Sequence, residues 1–143
     1  CNSTEGWAVG QNGAIVYWDG VLWDAVASPT SQSLYSVSVV SAGDVWAVGY
    51  SGTIIHWDGL QWNNVTSPTI QHLRSIYTVS PTEGWAVGQN GAIIQWTGTE
   101  WISEFPSAIL TPVLISLTLV AVILAKTASK KRTKPSLPSK TQL

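Results

Sequence analysis

The chain has 143 residues, of which 45% are hydrophobic and 10% are charged, and its formal net charge is −1. Residues 1–104 contain eight acidic side chains and one basic side chain, Arg74. This composition argues against nucleic-acid binding, because phosphates require a basic protein surface. The single cysteine, Cys1, excludes an internal disulfide.

The first residues suggest processing and glycosylation. The chain begins with Cys1 rather than methionine, and we interpret it as a fragment or a processed form. A lipid-modified terminus at Cys1 is the alternative interpretation. Asn2-Ser3-Thr4 and, further along the chain, Asn64-Val65-Thr66 match the acceptor pattern for N-linked glycans. Asn2 and Asn64 are therefore the predicted glycosylation sites.

One tryptophan- and glycine-rich segment occurs three times, as EGWAVGQNGAIVYWDG, DVWAVGYSGTIIHWDG and EGWAVGQNGAIIQWTG. The copies begin at Glu5, Asp44 and Glu83, so the period is 39 residues. A period near 40 residues indicates a solenoid or a propeller. All nine tryptophans of the chain fall in three columns of this alignment: Trp7, Trp46 and Trp85; Trp18, Trp57 and Trp96; Trp23, Trp62 and Trp101.

Each repeat is predicted to form four short antiparallel strands. Residues 34–40 (LYSVSVV) alternate with a period of two, and the WAVG, GTIIHW and LQWNNV segments are short runs separated by turn residues. Asp58-Gly59 predicts a two-residue type I′ hairpin turn. His56 is predicted to be an exposed strand residue, since tyrosine and glutamine occupy its position in the other copies.

The predicted fold is all-β, a partial β-propeller of about 2.75 four-stranded blades, followed by one C-terminal transmembrane helix. The repeats cover residues 1–103, with blade parts at 1–30, 33–69 and 72–103. We expect the tryptophan columns to be buried between neighbouring blades. Because closed propellers have about four to eight blades, we also expect further blades upstream of Cys1 or, alternatively, self-association into a ring.

The motif GWAVGQNGAIIQW with a following tryptophan resembles the repeats of YVTN/BNR-like and photosystem II assembly-factor-like β-propellers. The resemblance covers residues 4–102 and implies the propeller fold. Trp-Asp-Gly stands where the family usually has Thr-x-Asp-Gly-Gly, so the chain departs from the Asp-box pattern of sialidase-type repeats. The resemblance also implies one function among the alternatives, an assembly factor for a membrane complex.

Residues 108–125 (AILTPVLISLTLVAVILA) contain no charge and are long enough to cross a bilayer as a helix. A buried core helix is the alternative. A short linker at 104–107 precedes this segment, and a basic tail at 126–143, predicted to be disordered, follows it. The positive-inside rule predicts a single-pass plasma-membrane protein with extracellular repeats and a cytoplasmic tail. The Ser103–Ser107 stretch with this helix resembles the PEF-type anchor of archaeal surface proteins.

No catalytic or metal-binding pattern is recognisable, so we predict no enzymatic activity, no cofactor and no metal site. The predicted function is a membrane-anchored cell-surface module that binds a protein or an envelope glycan. The alternatives are a sialidase-like glycan hydrolase and the assembly factor. The candidate binding residues occupy the variable WAVG-x-x-G turn, where plain turn residues are the alternative interpretation. They are Gln11, Asn12, Tyr50, Ser51, Gln89 and Asn90.

Overall fold

The computed structural model describes residues 5–103, in which eleven strands form three antiparallel sheets. The strands of each sheet pair in chain order. The first sheet contains β1 (Gly6–Val9), β2 (Ile15–Trp18) and β3 (Trp23–Ala25). The second contains β4 (Leu34–Ser41), β5 (Asp44–Gly49), β6 (Ile54–Trp57) and β7 (Trp62–Val65). The third contains β8 (Leu73–Ser80), β9 (Glu83–Gly88), β10 (Ile93–Trp96) and β11 (Trp101–Ser103).

Tryptophans from neighbouring sheets pack together and form the layers of the core. Trp7 of the first sheet lies 5.1 Å from Trp57 and 5.3 Å from Trp62 of the second, between ring centroids. The same arrangement recurs one repeat later, where Trp46 meets Trp96 and Trp101 of the third sheet at 4.7 and 5.5 Å. We call the sheet face with the WAVG tryptophan the front face, and the face with the tryptophan pair the back face.

Aliphatic side chains complete both layers between the sheets. Between the first and second sheets, Ile15, Leu34 and Ile55 are buried around Trp62. Between the second and third sheets, buried aliphatic residues surround Trp46 and Trp101. Burial of apolar surface on this scale is the main stabilising contribution. The buried aliphatic residues of the second layer are Val48, Ile54, Leu73, Ile76 and Ile94.

The prediction that the tryptophan columns are buried between blades is correct in part, since five of the nine tryptophans are half-buried: Trp7, Trp18, Trp57, Trp85 and Trp96. Trp46, Trp62 and Trp101 are buried, whereas Trp23 on the back face of the first sheet is exposed. In the described part of the chain no other sheet covers that face. In the column of Trp23, Trp62 and Trp101, the tryptophan is therefore buried only where a neighbouring sheet packs on it.

The predicted two-residue hairpin at Asp58-Gly59 is wrong. Trp57 pairs with Trp62, so the loop contains four residues, and only Gly59 has a positive φ there, at 94°. The Asp58 carboxylate accepts hydrogen bonds from the N–H groups of Gln61 and Leu60, both at 2.9 Å. These bonds hold the pKa of Asp58 below its usual range, the Gln61 bond contributing most. Aspartate thus closes a longer loop through its side chain.

Close approach of the backbone explains one glycine column. A Cβ atom built on Gly49 would lie 2.1 Å from the Ser33 carbonyl oxygen, and one on Gly88 would lie 2.2 Å from that of His72. The residue before the first strand of each complete sheet therefore lies directly against the WAVG glycine. Gly10 has only Ala14 Cβ nearby, at 3.9 Å, because the described part of the first sheet has no such strand.

Several predicted features fall outside the described residues: the glycosylation site Asn2, the linker at 104–107, the transmembrane segment at 108–125 and the tail at 126–143. Within residues 5–103, no helix has the length and apolar character needed to cross a membrane. The second predicted glycosylation site, Asn64, is exposed on β7, and its Nδ2 donates a hydrogen bond to the Pro29 carbonyl at 3.1 Å. Its modification stays a prediction.

Candidate functional site

The six candidate binding residues lie in three equivalent short turns, Gln11–Gly13, Tyr50–Gly52 and Gln89–Gly91. All six are exposed. The middle residue of each turn has a left-handed backbone, with φ of 55° at Asn12, 53° at Ser51 and 54° at Asn90. Asparagine tolerates this conformation better than most residues. Backbone geometry alone therefore explains the asparagines at this position.

Two of these turns hold the segment that enters the next sheet. The Ser51 N–H donates to Nδ1 of His72 at 2.9 Å, and the Tyr50 ring stacks on the His72 ring with centroids 4.1 Å apart. One repeat earlier, the Asn12 N–H donates to Ser33 Oγ at 3.4 Å. These contacts join consecutive sheets. They give the turns a structural role, and a role in ligand binding stays a prediction.

The third turn borders a shallow cavity of about 260 Å³ in the third sheet. Asn90 lines it and donates from Nδ2 to Oε1 of Gln71 at 2.7 Å. The backbone N–H of Gln89 donates to the His72 carbonyl at 2.9 Å. Both bonds thus join this turn to residues 71 and 72, which lead into the third sheet.

The structure reveals a different exposed surface on the first strands of the two complete sheets. β4 and β8 lie side by side, since Ser38 Oγ accepts the Thr78 N–H at 3.0 Å and also bonds to Thr78 Oγ1 at 2.7 Å. An aromatic side chain of β4 and a cationic side chain of β8 are exposed and in contact with each other. We call this pair the inner-strand surface; it consists of Tyr35 and Arg74.

Two β-bulges at equivalent positions of β4 and β8 expose Tyr35 and Arg74. The pairing of β4 with β5 skips Tyr35, and the pairing of β8 with β9 skips Arg74. Bulges redirect side chains, and here they bring the Arg74 guanidinium over the Tyr35 ring, 4.6 Å from its centroid. Arg74 is the only basic side chain between residues 5 and 103. The surface therefore combines apolar contact area with one positive charge.

Sequence reasoning missed this surface. The bulge at Tyr35 interrupts the period-two alternation of 34–40, so that Leu34 and Val37 pack in the same cluster. The two bulges, which decide the orientation of Tyr35 and Arg74, leave no trace in the residue pattern.

The histidine His56 is not the exposed residue that the sequence predicted. It is half-buried, stacks on Trp46 with centroids 4.1 Å apart, and its Nε2 lies 2.8 Å from Asp44 Oδ1. The same carboxylate oxygen accepts the Trp46 indole N–H at 2.8 Å. The pair thus orients the central tryptophan of the second interface. Among the described residues, no cluster of three His, Cys, Asp or Glu side chains is placed to hold a metal ion.

Antiparallel sheets of three or four strands, following one another in sequence and packed face to face, define a β-propeller-like fold. Comparison with solved structures agrees with this class. The chain is similar to a structure described as "YCF48 bound to D1 peptide", with 23% identity and a TM-score of 0.59, over 69% of this chain and 35% of that one. It is also similar to YCF48 from Cyanidioschyzon merolae, with 22% identity and a TM-score of 0.57, over 70% and 33% of the two chains.

At such identities the likeness shows the fold alone. The chain spans about a third of the length of these structures. No family model and no curated protein matches it. The predicted resemblance to photosystem II assembly-factor-like propellers is thereby confirmed at the level of the β-propeller-like fold. The predicted archaeal anchor belongs to residues outside the described part of the chain.

Proposed function

We propose that this chain is a protein-binding module, and that its inner-strand surface binds an extended polypeptide segment of a partner. The observation on which the proposal rests is the exposure of the Tyr35 ring together with the Arg74 guanidinium that lies over it. Aromatic side chains and arginine are the residues that contribute most to binding at protein interfaces. The YCF48 structure bound to a D1 peptide supports peptide binding by this fold.

The chemistry of the surface specifies the kind of segment. Tyr35 on β4 offers an exposed aromatic ring as contact area. Arg74 supplies a fork of N–H donors that suits a carboxylate, while its face already lies over Tyr35. The preferred ligand is therefore a peptide with apolar side chains and one carboxylate group. Binding without turnover is part of this proposal, as is anchoring through residues 108–125 with the repeats outside the cell.

Selection of peptides from a random display library by the full chain tests the proposal. We expect enrichment of sequences with apolar residues next to Asp, Glu or a free C-terminus. The Arg74→Gln variant should weaken binding of the selected peptides by about tenfold or more, as loss of a charge-assisted hydrogen bond implies. Tyr35→Ser should weaken binding of these peptides similarly, because it removes aromatic contact area.

Leu60→Ser is the matched control, because Leu60 is exposed in a loop of the second sheet and lies outside the inner-strand surface. Its affinity should equal that of the unaltered chain. No enrichment of peptides would contradict the proposal. Peptides whose affinity is the same for Arg74→Gln, Tyr35→Ser and Leu60→Ser would contradict it as well.

A further inference from the structure

One histidine joins the second sheet to the third. His72 lies immediately before β8, and its Nδ1 accepts the backbone N–H of Ser51 at 2.9 Å. Its ring stacks on Tyr50 with centroids 4.1 Å apart. Its carbonyl accepts the Gln89 N–H at 2.9 Å. The ring of His72 therefore contacts the second sheet, while its backbone is bonded to the third.

The bond from Ser51 requires one protonation state of the His72 ring. A backbone N–H donates only to a ring nitrogen that carries a lone pair, so Nδ1 must be unprotonated. When a histidine takes up a second proton, both ring nitrogens become donors. Histidine is the side chain whose charge ordinarily changes between about pH 5 and pH 8. Because the ring is half-buried and reaches solvent, acidification replaces this hydrogen bond with two opposed donors.

The preceding junction provides a comparison within the same chain. Ser33 occupies the position of His72 one repeat earlier, and its Oγ accepts the Asn12 N–H at 3.4 Å. A serine hydroxyl keeps its lone pairs and gains no charge over this pH range. The Ser33 carbonyl accepts the Tyr50 N–H at 2.8 Å, as the His72 carbonyl accepts the Gln89 N–H. The two junctions thus share a backbone arrangement and differ in whether the side-chain acceptor can take up a proton.

The carboxylates of the surrounding elements lie away from His72. β8 packs on β4, β5, β9 and the turn at 50–52, whose titratable and charged side chains, with those of β8, are Tyr35, Asp44, Tyr50, Arg74, Tyr77 and Glu83. Asp44 and Glu83 begin β5 and β9. The other ends of these strands lead into the turns at 50–52 and 89–91, where His72 makes its contacts. A protonated His72 therefore gains no ion pair from these elements, unlike His56, whose Nε2 lies 2.8 Å from Asp44 Oδ1.

We propose that His72 makes the inner-strand surface sensitive to pH, so that acidification weakens peptide binding there. Arg74 follows His72 by two residues on the third sheet and lies over Tyr35 of the second. Loss of the Ser51 bond removes a contact between these two sheets at the start of β8, so the guanidinium is held less firmly over the ring. β4 and β8 stay joined further along, through Ser38 and Thr78. This regulation rests on the proposed peptide binding, whereas the response of the Ser51 bond to pH does not.

Amide exchange of the full chain tests the hydrogen bond itself. It is measured by NMR in a mild detergent between about pH 8 and pH 5 and corrected for the intrinsic pH dependence of exchange. Protection of the Ser51 amide should fall by about three- to tenfold as the His72 ring titrates, the effect of one lost hydrogen bond, while protection of the Asn12 amide should stay constant. His72→Ser, which introduces the side chain of the preceding junction, should abolish the change at Ser51. His56→Gln is the matched control and should preserve it.

A Ser51 amide whose protection does not change with pH would overturn the proposal. The same change in His72→Ser would overturn it as well, because the response would then belong to another group. His72→Asn, which keeps an acceptor oxygen and gains no charge, replaces His72→Ser if that variant loses its near-ultraviolet circular dichroism.

The affinity of a library-selected peptide tests the regulation. The unaltered chain should bind it about three- to tenfold more weakly at about pH 5.5 than at about pH 7.5, and His72→Ser should bind it equally at both. An affinity of the unaltered chain that does not depend on pH, or an equal loss in His72→Ser, would overturn the regulation and leave peptide binding in place. Failure to select any peptide would contradict the proposed function and the regulation together, while the Ser51 amide still decides whether the hydrogen bond responds to pH.

Discussion

Replacement of two tryptophans from the same repeat column, Trp62 and Trp23, separates the contribution of inter-sheet burial from that of the residue type. Trp62 lies between the first and second sheets and contacts Trp7 and Trp57, whereas Trp23 is half-exposed. Truncation of a buried tryptophan to alanine costs about 3–5 kcal/mol. We therefore expect Trp62→Ala to lower the free energy of unfolding by about 4 kcal/mol.

The expected cost of Trp23→Ala follows from the difference in burial. Trp23 is 52% exposed and Trp62 is 5% exposed. For a side chain of about 250 Å², this difference is roughly 100 Å² of surface, or about 2.5 kcal/mol at about 25 cal/mol per Å². Trp23→Ala should therefore lower the free energy of unfolding by about 1.5 kcal/mol.

Urea denaturation followed by far-ultraviolet circular dichroism measures both values. Both variants should be measured at the same protein concentration. Equal losses for the two variants would refute the argument, because they would show that the tryptophan column stabilises each sheet by itself. A loss below about 1 kcal/mol for Trp62→Ala would refute the packing of the first sheet on the second.

Two further predictions concern the glycine and aspartate positions of the repeat. Gly49→Ala should lower the free energy of unfolding by about 3 kcal/mol or more, because its Cβ would lie 2.1 Å from the Ser33 carbonyl oxygen. Gly10→Ala should change this free energy by less than about 1 kcal/mol. Thermal denaturation compares the two variants, and equal melting temperatures would contradict the close approach at Gly49. Two N–H hydrogen bonds hold the pKa of the Asp58 carboxylate below its usual range, so the ionised group stabilises the folded state at pH values above the ordinary pKa. Asp58→Asn should therefore lower the free energy of unfolding at pH 7. That contribution disappears as the pH falls through the lower folded-state pKa, so urea midpoints of the variant and the unaltered chain should converge in acid, and a constant difference down to pH 2 would contradict the loop geometry.

The internal repeat predicted most of the fold, because the same strand patterns and the same packing residues recur in each copy. The 39-residue spacing brings Trp7, Trp46 and Trp85 to equivalent positions, and four short strand patterns recur in each copy. Trp46 is buried, whereas Trp7 and Trp85 are half-buried. A residue pattern predicts which side chains lie on one face of a strand, but their burial depends on whether a neighbouring sheet packs on that face.

Turns and bulges were harder to predict, because side-chain hydrogen bonds and the pairing of whole strands determine them. Asp58-Gly59 has the residues of a two-residue turn, yet the carboxylate bonds to two N–H groups and stabilises a four-residue loop instead. The bulges at Tyr35 and Arg74 depend on how the whole of β4 and β8 pairs with the next strand. The candidate site was missed for this reason, since its central contact is made by two bulged residues 39 positions apart.

Hydrogen exchange of the full chain with a selected peptide tests the proposed binding surface most directly. The account predicts slower exchange of backbone amides in β4 and β8 on peptide binding, and unchanged exchange in the turns at 11–13, 50–52 and 89–91. Protection confined to those turns, or the same protection in the Arg74→Gln variant at equal peptide concentration, would contradict it.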